Sequence, residues 1–408
     1  MRCMRKFRMH RSFWTIKKEI IRMAFKIFLK IFLPVAALTA FAFLIVHFNS
    51  GASVYRRYSS APGASVNYEK ARVTEIKKES LEKDGASGLY LGYQLIRVVM
   101  LTGEHKGDTL LVRNTLSYSN NVRTWPGLHV IAVVDAADKL HYNVWIYNYD
   151  RGPYLYLIIL LFIAVLCIVG GRRGIRSVGG IVFTMAGIVF LFIPMLYKGY
   201  SPTLAAIGVV AITACATLAL LGGISAKTVS ALIGTLAGMI ISAIFLLAAL
   251  GITHLSGYNT GEADALIQLA GAVHMKVGEL LFAAIFISSL GAVIDVAISI
   301  SSAVQEIYAH NPSLRVKNLF VSGMNVGRDM MGAMANTLII AFTGTELNML
   351  ILLRTMDIQY YQLLNTNMIG IYIIQAISGS IAIVLTVPLV ALISAQLTPV
   401  LMKKKTVH

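Results

Sequence analysis

The stretch Ser288-Ser289-Leu290-Gly291-Ala292-Val293-Ile294-Asp295-Val296-Ala297-Ile298-Ser299-Ile300-Ser301-Ser302 decides the kind of protein this is. It sits in an apolar run over 279–303, longer than the roughly 20 residues a helix needs to cross the hydrocarbon core of a bilayer, and it holds a single carboxylate. Further runs of spanning length lie at 27–48, 153–171, 178–197, 203–222, 228–250, 330–353 and 367–397; the last is overlong and is expected to tilt or kink at Pro388. Composition agrees. Of 408 residues 57% are hydrophobic and 13% charged, with a mean hydropathy of +0.71, whereas a soluble domain carries about 25% charged residues. These figures exclude a soluble enzyme and a disordered chain. They also exclude a nucleic-acid-binding module, because no DNA-binding motif accompanies the net charge of +17.

The basic residues are placed as a membrane places them. Nine Lys and Arg precede the first apolar run, from Arg2 to Lys26, and such an arm binds anionic headgroups from the cytoplasmic side. With the N-terminus inside, the short inner loops and the tail hold ten Lys and Arg, including Arg172, Arg173, Arg176 and Lys403–Lys405, against three outside (Lys198, Lys276 and Arg354). Both termini are therefore expected in the cytoplasm and the long segment 49–152 outside. Small residues Ser50-Gly51-Ala52 follow the first run, but its basic region and apolar length suit an uncleaved anchor better than a signal peptide. The domain plan is a basic arm over 1–26, an anchor helix over 27–48, the outer domain over 49–152, a seven-helix membrane domain over 153–402 and a basic tail over 403–408.

Within 49–152 the apolar residues alternate. Val66–Lys77, Tyr90–Thr102, Asp108–Val112, His129–Val134 and His141–Tyr149 read as strands; Gly103-Glu104, Gly107-Asp108, Pro126-Gly127 and Ala137-Asp138 read as turns. Five short strands with one apolar face predict a small closed barrel of the SH3 or OB kind, either a docking domain for an extracellular partner, a cover over a membrane pathway, or a folded linker. Trp145, Tyr147, Tyr149, Tyr154 and Tyr156 precede the second span as interfacial aromatics do. The three cysteines have no disulfide or metal spacing.

An ionisable group inside a span needs a partner or a purpose. Asp295, Ser299, Ser302 and Glu306 fall on one stripe of the sixth span. Asp329, Asn336 and Thr343 recur every seven residues on the seventh. By depth, Asp295 and Asn336 are expected to face each other, with Arg328 at the cytoplasmic mouth. Blander readings stand beside these: Asp329 as a helix N-cap, Glu306 at headgroup level, and serines bonded to their own backbone. Gly234 and Gly238 form a GxxxG packing pattern. Gly323, Gly327 and Gly332 suggest an interrupted approach to the seventh span, and Asn259 with Glu262 suggests a capped amphipathic helix within 251–277.

Leu290–Ala297 through Glu306, Gly327-Arg328-Asp329 and Asn336-Thr337-Leu338-Ile339 resemble the YibE/F family of bacterial multi-pass membrane proteins, as do Ala71-Arg72-Val73, Gly103–Asp108 and Asp150-Arg151 in the outer segment. The resemblance implies a cell-membrane protein with a fused outer domain and brings no catalytic or transport residues with it. The fold expected is an α-helical polytopic membrane protein of about eight transmembrane helices, with a small extracellular all-β barrel-like domain between the first two. The function expected is a transport-type permease or ion-coupled channel lined by the sixth and seventh spans, with Asp295, Ser299, Ser302, Glu306, Arg328, Asp329, Asn336 and Thr343 along its pathway. Beside it stand a non-transporting assembly or sensor protein and, more remotely, an intramembrane hydrolase using Asp295 and Asp329. No HExxH, GxSxG or phosphate-loop motif supports an enzyme, and no catalytic residue, metal or cofactor is expected. The sequence leaves the oligomeric state open.

Overall fold

The computed structural model describes residues 39–50, 66–136, 142–223, 225–356 and 358–406. The basic arm, most of the anchor span and the Ala137-Asp138 turn lie outside them. The chain divides into two compact units, one over Ala52–Val169 and the other over the remainder.

In the first unit, five strands, β1 (Val66–Lys83), β2 (Tyr90–Met100), β3 (Thr109–Leu116), β4 (His129–Ala136) and β5 (Tyr142–Tyr149), form one antiparallel sheet in the order β3-β2-β1-β4-β5. The strands stand where alternation put them. The expected closed barrel is instead a half-barrel: β3 and β5 are the sheet's two edges, with no ladder joining them. The long β1 accounts for the curvature. Its first part pairs with β4 (Val66–Arg72) and its later part with β2 (Ala71–Lys83), across irregularities at Val73/Glu75 and Ile76/Lys78 that bend and twist a strand. The concave face buries Ala71, Val73, Ile96, Val98, Met100, Val112, Val130, Ala132, Val134 and Ile146. Fully buried Gln94 ties down the connection after β3: its Oε1 accepts from the Thr124 amide and hydroxyl, both at 2.9 Å, and its Nε2 donates to Glu79 Oε2 at 2.7 Å.

The helices are α1 (Thr39–Asn49), α2 (Gly152–Gly187), a π turn (Ile188–Phe192) leading into α3 (Ile193–Tyr197), α4 (Pro202–Gly222), α5 (Ala226–Thr253), α6 (Ala263–Val273), α7 (Leu280–His310), α8 (Val316–Thr345), α9 (Leu347–Thr355), α10 (Tyr360–Leu364) and α11 (Asn367–Thr406). Five segments among the described residues are long and apolar enough to cross a membrane: Gly152–Tyr197, Pro202–Gly222, Ala226–Thr253, Val277–His310 and Asn367–Met402. A sixth is added if α8 and α9, bent by 61°, make one span. The expected eight differ for physical reasons. The anchor shows only the eleven-residue α1. The second and third runs join in one helical stretch, broken only at Gly171 (φ 53°, ψ −132°), a left-handed backbone that favours glycine. That break falls beside the division between the two units. The long α11 continues through Pro388 and Pro399.

Several sequence readings change at this level. The helix expected within 251–277 forms as α6, but Asn259 does not cap it: Asn259 Oδ1 accepts from the Ser256 amide at 2.8 Å in the preceding turn. Asp329 is no N-cap, since α8 begins thirteen residues earlier at Val316. Nor do Gly323, Gly327 and Gly332 interrupt a helix, because α8 is continuous through them. A Cβ on Gly323 would lie 3.2 Å from Ala391 Cβ and 2.9 Å from Val304 Cγ2, and one on Gly327 would crowd Val387 and lie 3.1 Å from Ile300 Cδ1. These glycines admit neighbouring helices.

The GxxxG reading holds. Gly234 seats Val390 and Gly238 seats Thr386, so α5 lies close against α11. Gly238→Ala is expected to destabilise the solubilised chain by about 1–3 kcal/mol through overpacking. Adding Thr386→Ala should recover part of the loss. Gly251→Ala, where a Cβ meets nothing within 4 Å, should leave the melting temperature essentially unchanged.

Candidate functional site

α7 is the most buried of the spanning segments, and it presents Asp295 to a cavity rather than to a neighbour. Val293, Val296, Ala297, Ile300 and Val304 are fully covered by protein, while Asp295 is exposed. The space it borders, about 570 Å³, lies between the second part of α2, α4 and α7. Each helix contributes positions one turn apart: Gly180 and Thr184 from α2, continued by Ile188 of the π turn; Val209, Thr213, Thr217 and Leu221 from α4; Ile287, Gly291 and Ile294, with Ser288 and Asp295, from α7. α1 braces the α2 and α3 side of this unit. Phe41 stacks on Phe183 at 4.1 Å, Asn49 Nδ2 donates to Phe190 O at 2.7 Å and Lys198 Nζ donates to His47 O at 2.8 Å.

Four of the five hydroxyls in this lining have spent their protons on carbonyls of their own helix, and the fifth, Thr217 Oγ1, lies 3.4 Å from Thr184 Oγ1. Thr184 Oγ1 donates to Gly180 O at 3.0 Å, Thr213 Oγ1 to Val209 O at 2.7 Å and Ser288 Oγ to Ile285 O at 2.9 Å. What they have left are lone pairs. Asp295 makes no side-chain hydrogen bond or ion pair with any described residue. The cavity therefore joins a negative group with hydroxyl acceptors on an apolar wall, a donor-poor environment that suits a cation or a proton.

Of the eight pathway residues read from sequence, Asp295 alone lines this cavity. Ser299 and Ser302 are half-buried farther along α7, and Glu306 is exposed near its end. Beyond Asp295 the serine that α7 buries is Ser301, not on the expected stripe: its Oγ lies 3.1 Å from Ser394 Oγ of α11. Arg328, Asp329, Asn336 and Thr343 are exposed on α8, and no α8 residue borders the cavity. The structure thus does not gather Asp295 and Asn336 around one space. Missed by sequence reading were Thr184, Thr213, Thr217 and Ser288. Their only signal was the i, i+4 spacing of Gly180 with Thr184 and of Thr213 with Thr217, which blends into ordinary helix packing.

The chain's membership follows from its helical part. A model of the YibE/F-like protein family matches residues 158–399. The chain belongs to that family. The match runs from within α2 to within α11 and takes in every residue of the cavity, while the half-barrel lies outside it. No curated protein and no solved structure matches the chain.

The half-barrel of this YibE/F-like protein holds a polar cluster of its own. Glu69, 7% exposed, lies beneath Gly103, and its Oε2 has no hydrogen-bond partner. Beside it His105 stacks on Tyr142 at 3.8 Å with Nδ1 3.4 Å from Asp108 Oδ2, and the Tyr142 hydroxyl donates to that same oxygen at 2.8 Å. Burial, the Asp108 bond and its charge push the Tyr142 phenol up to about 12. Burial raises the Glu69 carboxyl above its ordinary value, outweighing the lowering by His105 and by the Glu104 backbone bond. A carboxyl that holds its proton more tightly when folded contributes stability that is full below the ordinary carboxylate pKa and lost as pH rises through the raised value. Amide-exchange protection of β1 and β4 in the full chain, corrected for intrinsic rates, should accordingly fall as pH rises from about 4. Glu69→Gln should flatten that fall; an unchanged slope would place its origin elsewhere.

Proposed function

We propose that this YibE/F-like membrane protein is a transport-type permease or ion-coupled channel, with Asp295 binding a proton or small cation in the cavity between α2, α4 and α7. The observation that carries the reading is the unpartnered Asp295 carboxylate among hydroxyls that, Thr217 apart, give their protons to carbonyls of their own helix. An ionised carboxylate in such a setting is costly, and taking up a proton or a cation removes the cost. The pathway differs from one lined by the sixth and seventh spans, since its walls come from the third, fourth and sixth apolar runs. Ser177, on its lining, follows Arg172, Arg173 and Arg176, so in our reading the cavity opens toward the cytoplasmic side. The same rule keeps both termini in the cytoplasm, the half-barrel outside and the N-terminal arm against anionic headgroups. We read the protein as neither an enzyme nor a nucleic-acid binder; the hydrolase reading gains nothing, because Asp329 does not border the cavity.

Flux of protons and of monovalent and divalent cations into proteoliposomes tests this. Asp295→Asn should lower the flux at least about tenfold, the factor corresponding to 1.4 kcal/mol, while Thr213→Val should lower it less. Undiminished flux through correctly folded Asp295→Asn would end the role.

A second reading has its own observation. On the convex face of the half-barrel, Tyr68 (60% exposed), Trp145 (41%) and Tyr147 (52%) crowd around Val133, with Tyr68 and Tyr147 edge-to-face at 5.0 Å. Exposed aromatic clusters suit docking, as an assembly or sensor protein would need. If so, Tyr68→Ser with Trp145→Ser should abolish capture of an extracellular partner by the full chain while leaving cation flux untouched.

A further inference from the structure

One face of α8 is turned away from the rest of the described protein and is polar where a span should be apolar. Its inner face holds Gly323 and Gly327 against α7 and α11, and Leu338 against Gly379. On the opposite side stand Asn325, Asp329, Gly332, Asn336, Ile339 and Thr343, all exposed. These positions alternate three and four residues apart, the seam of a left-handed helix pair. Thr343 satisfies its hydroxyl on Ile339 O at 2.8 Å. Arg328, Asp329 and Asn336 make no side-chain hydrogen bond or ion pair with any described residue. Lipid cannot satisfy an amide and a carboxylate at these positions.

We propose that this face of α8 is the contact surface of a parallel homodimer. Two copies in one membrane share an orientation, so a two-fold axis along the membrane normal sets each residue beside its own counterpart. In a parallel seam, a residue at the Asp329 position inserts into a hole whose wall includes the residue just before its counterpart. That residue is Arg328 of the second copy, so each copy's carboxylate meets the other's guanidinium, and the surface is complementary to itself. One heptad on, Asn336 meets Asn336 of the second copy. An amide both donates and accepts, and a lone asparagine at such a position sets register and two-stranded pairing. Gly332, between the two layers, lets the backbones approach. The anchor helix is no rival for the place, since its described part, α1, is engaged with Phe183, Phe190 and Lys198.

The test uses the full chain in native membranes with Cys3, Cys167 and Cys215 changed to Ser. Asn336→Cys should form an oxidative cross-link between two copies. Ala341→Cys, exposed but about 140° around the helix, should not. In diluted proteoliposomes followed by single-molecule photobleaching, Asn336→Leu should weaken dimerisation roughly 3- to 20-fold. Arg328→Asp and Asp329→Arg should each weaken it, and the two together should restore it, a rescue that misfolding does not produce. Cross-links to another protein, a monomer in every membrane, or equal cross-linking at both cysteine positions would overturn the proposal.

Discussion

The close approach of helices to α11 is the contact on which the membrane part depends. Ala382, Ile383, Thr386, Val387, Val390, Ala391, Ser394, Ala395 and Thr398 of this helix are wholly covered by protein. The neighbours reach them through missing side chains. α5 arrives with Gly234 and Gly238, α8 with Gly323 and Gly327, and α11 admits Leu338 of α8 at its own Gly379. Inside a bilayer the hydrophobic effect gives helices no reason to prefer one another over lipid, so dispersion contacts at short range must do the selecting. Glycine is what makes the range short. The four-residue spacing within each helix sets one face, and so orients everything else that helix carries.

Those orientations follow along the chain of contacts. With Ile300 and Val304 of α7 engaged by the α8 glycines, Asp295 points elsewhere, into the space beside α2 and α4. With Gly323, Gly327 and Leu338 of α8 committed inward, Asp329 and Asn336 face outward. The packing that buries the apolar faces thus decides which of two polar groups lies in a cavity and which on a surface.

Much of the fold was legible from residues alone, and the reasons differ by element. All five strands begin within a residue of where alternation and turn signals put them, because a half-buried sheet writes its register into a period of two. Whether the sheet closed was not legible, since closure depends on a ladder between β3 and β5 that leaves no periodic trace. The apolar runs located the spanning helices, yet a helix apolar all round does not say which neighbour each face meets. That is why the stripe of Asp295, Ser299, Ser302 and Glu306 gave Asp295 its importance but not its surroundings, and why Ser301, one position off, proved to be the buried serine bonded to α11. Glycines in a span read equally as breaks or as contacts. Only the partner atoms, Ile300 and Val387 at Gly327, distinguish them.

The polarity of the cavity carries the functional argument further than the presence of a carboxylate does. A lone acid on a helix could attract a donor from any side, and a lining of amides or lysines would have satisfied it. Here Thr184, Thr213 and Ser288 each give their hydrogen to a carbonyl of their own helix, so they meet an incoming species as acceptors. An anion would find lone pairs and a negative charge; a cation would find both in the right sense. The same backbone bonds keep the hydroxyls in place without a ligand, so the lining need not rearrange to receive one, and such preorganisation lowers the cost of binding. In the proposed role Asp295 would supply the charge, the hydroxyls dipoles that are already oriented, and the apolar remainder of the wall a limit on the competition from water.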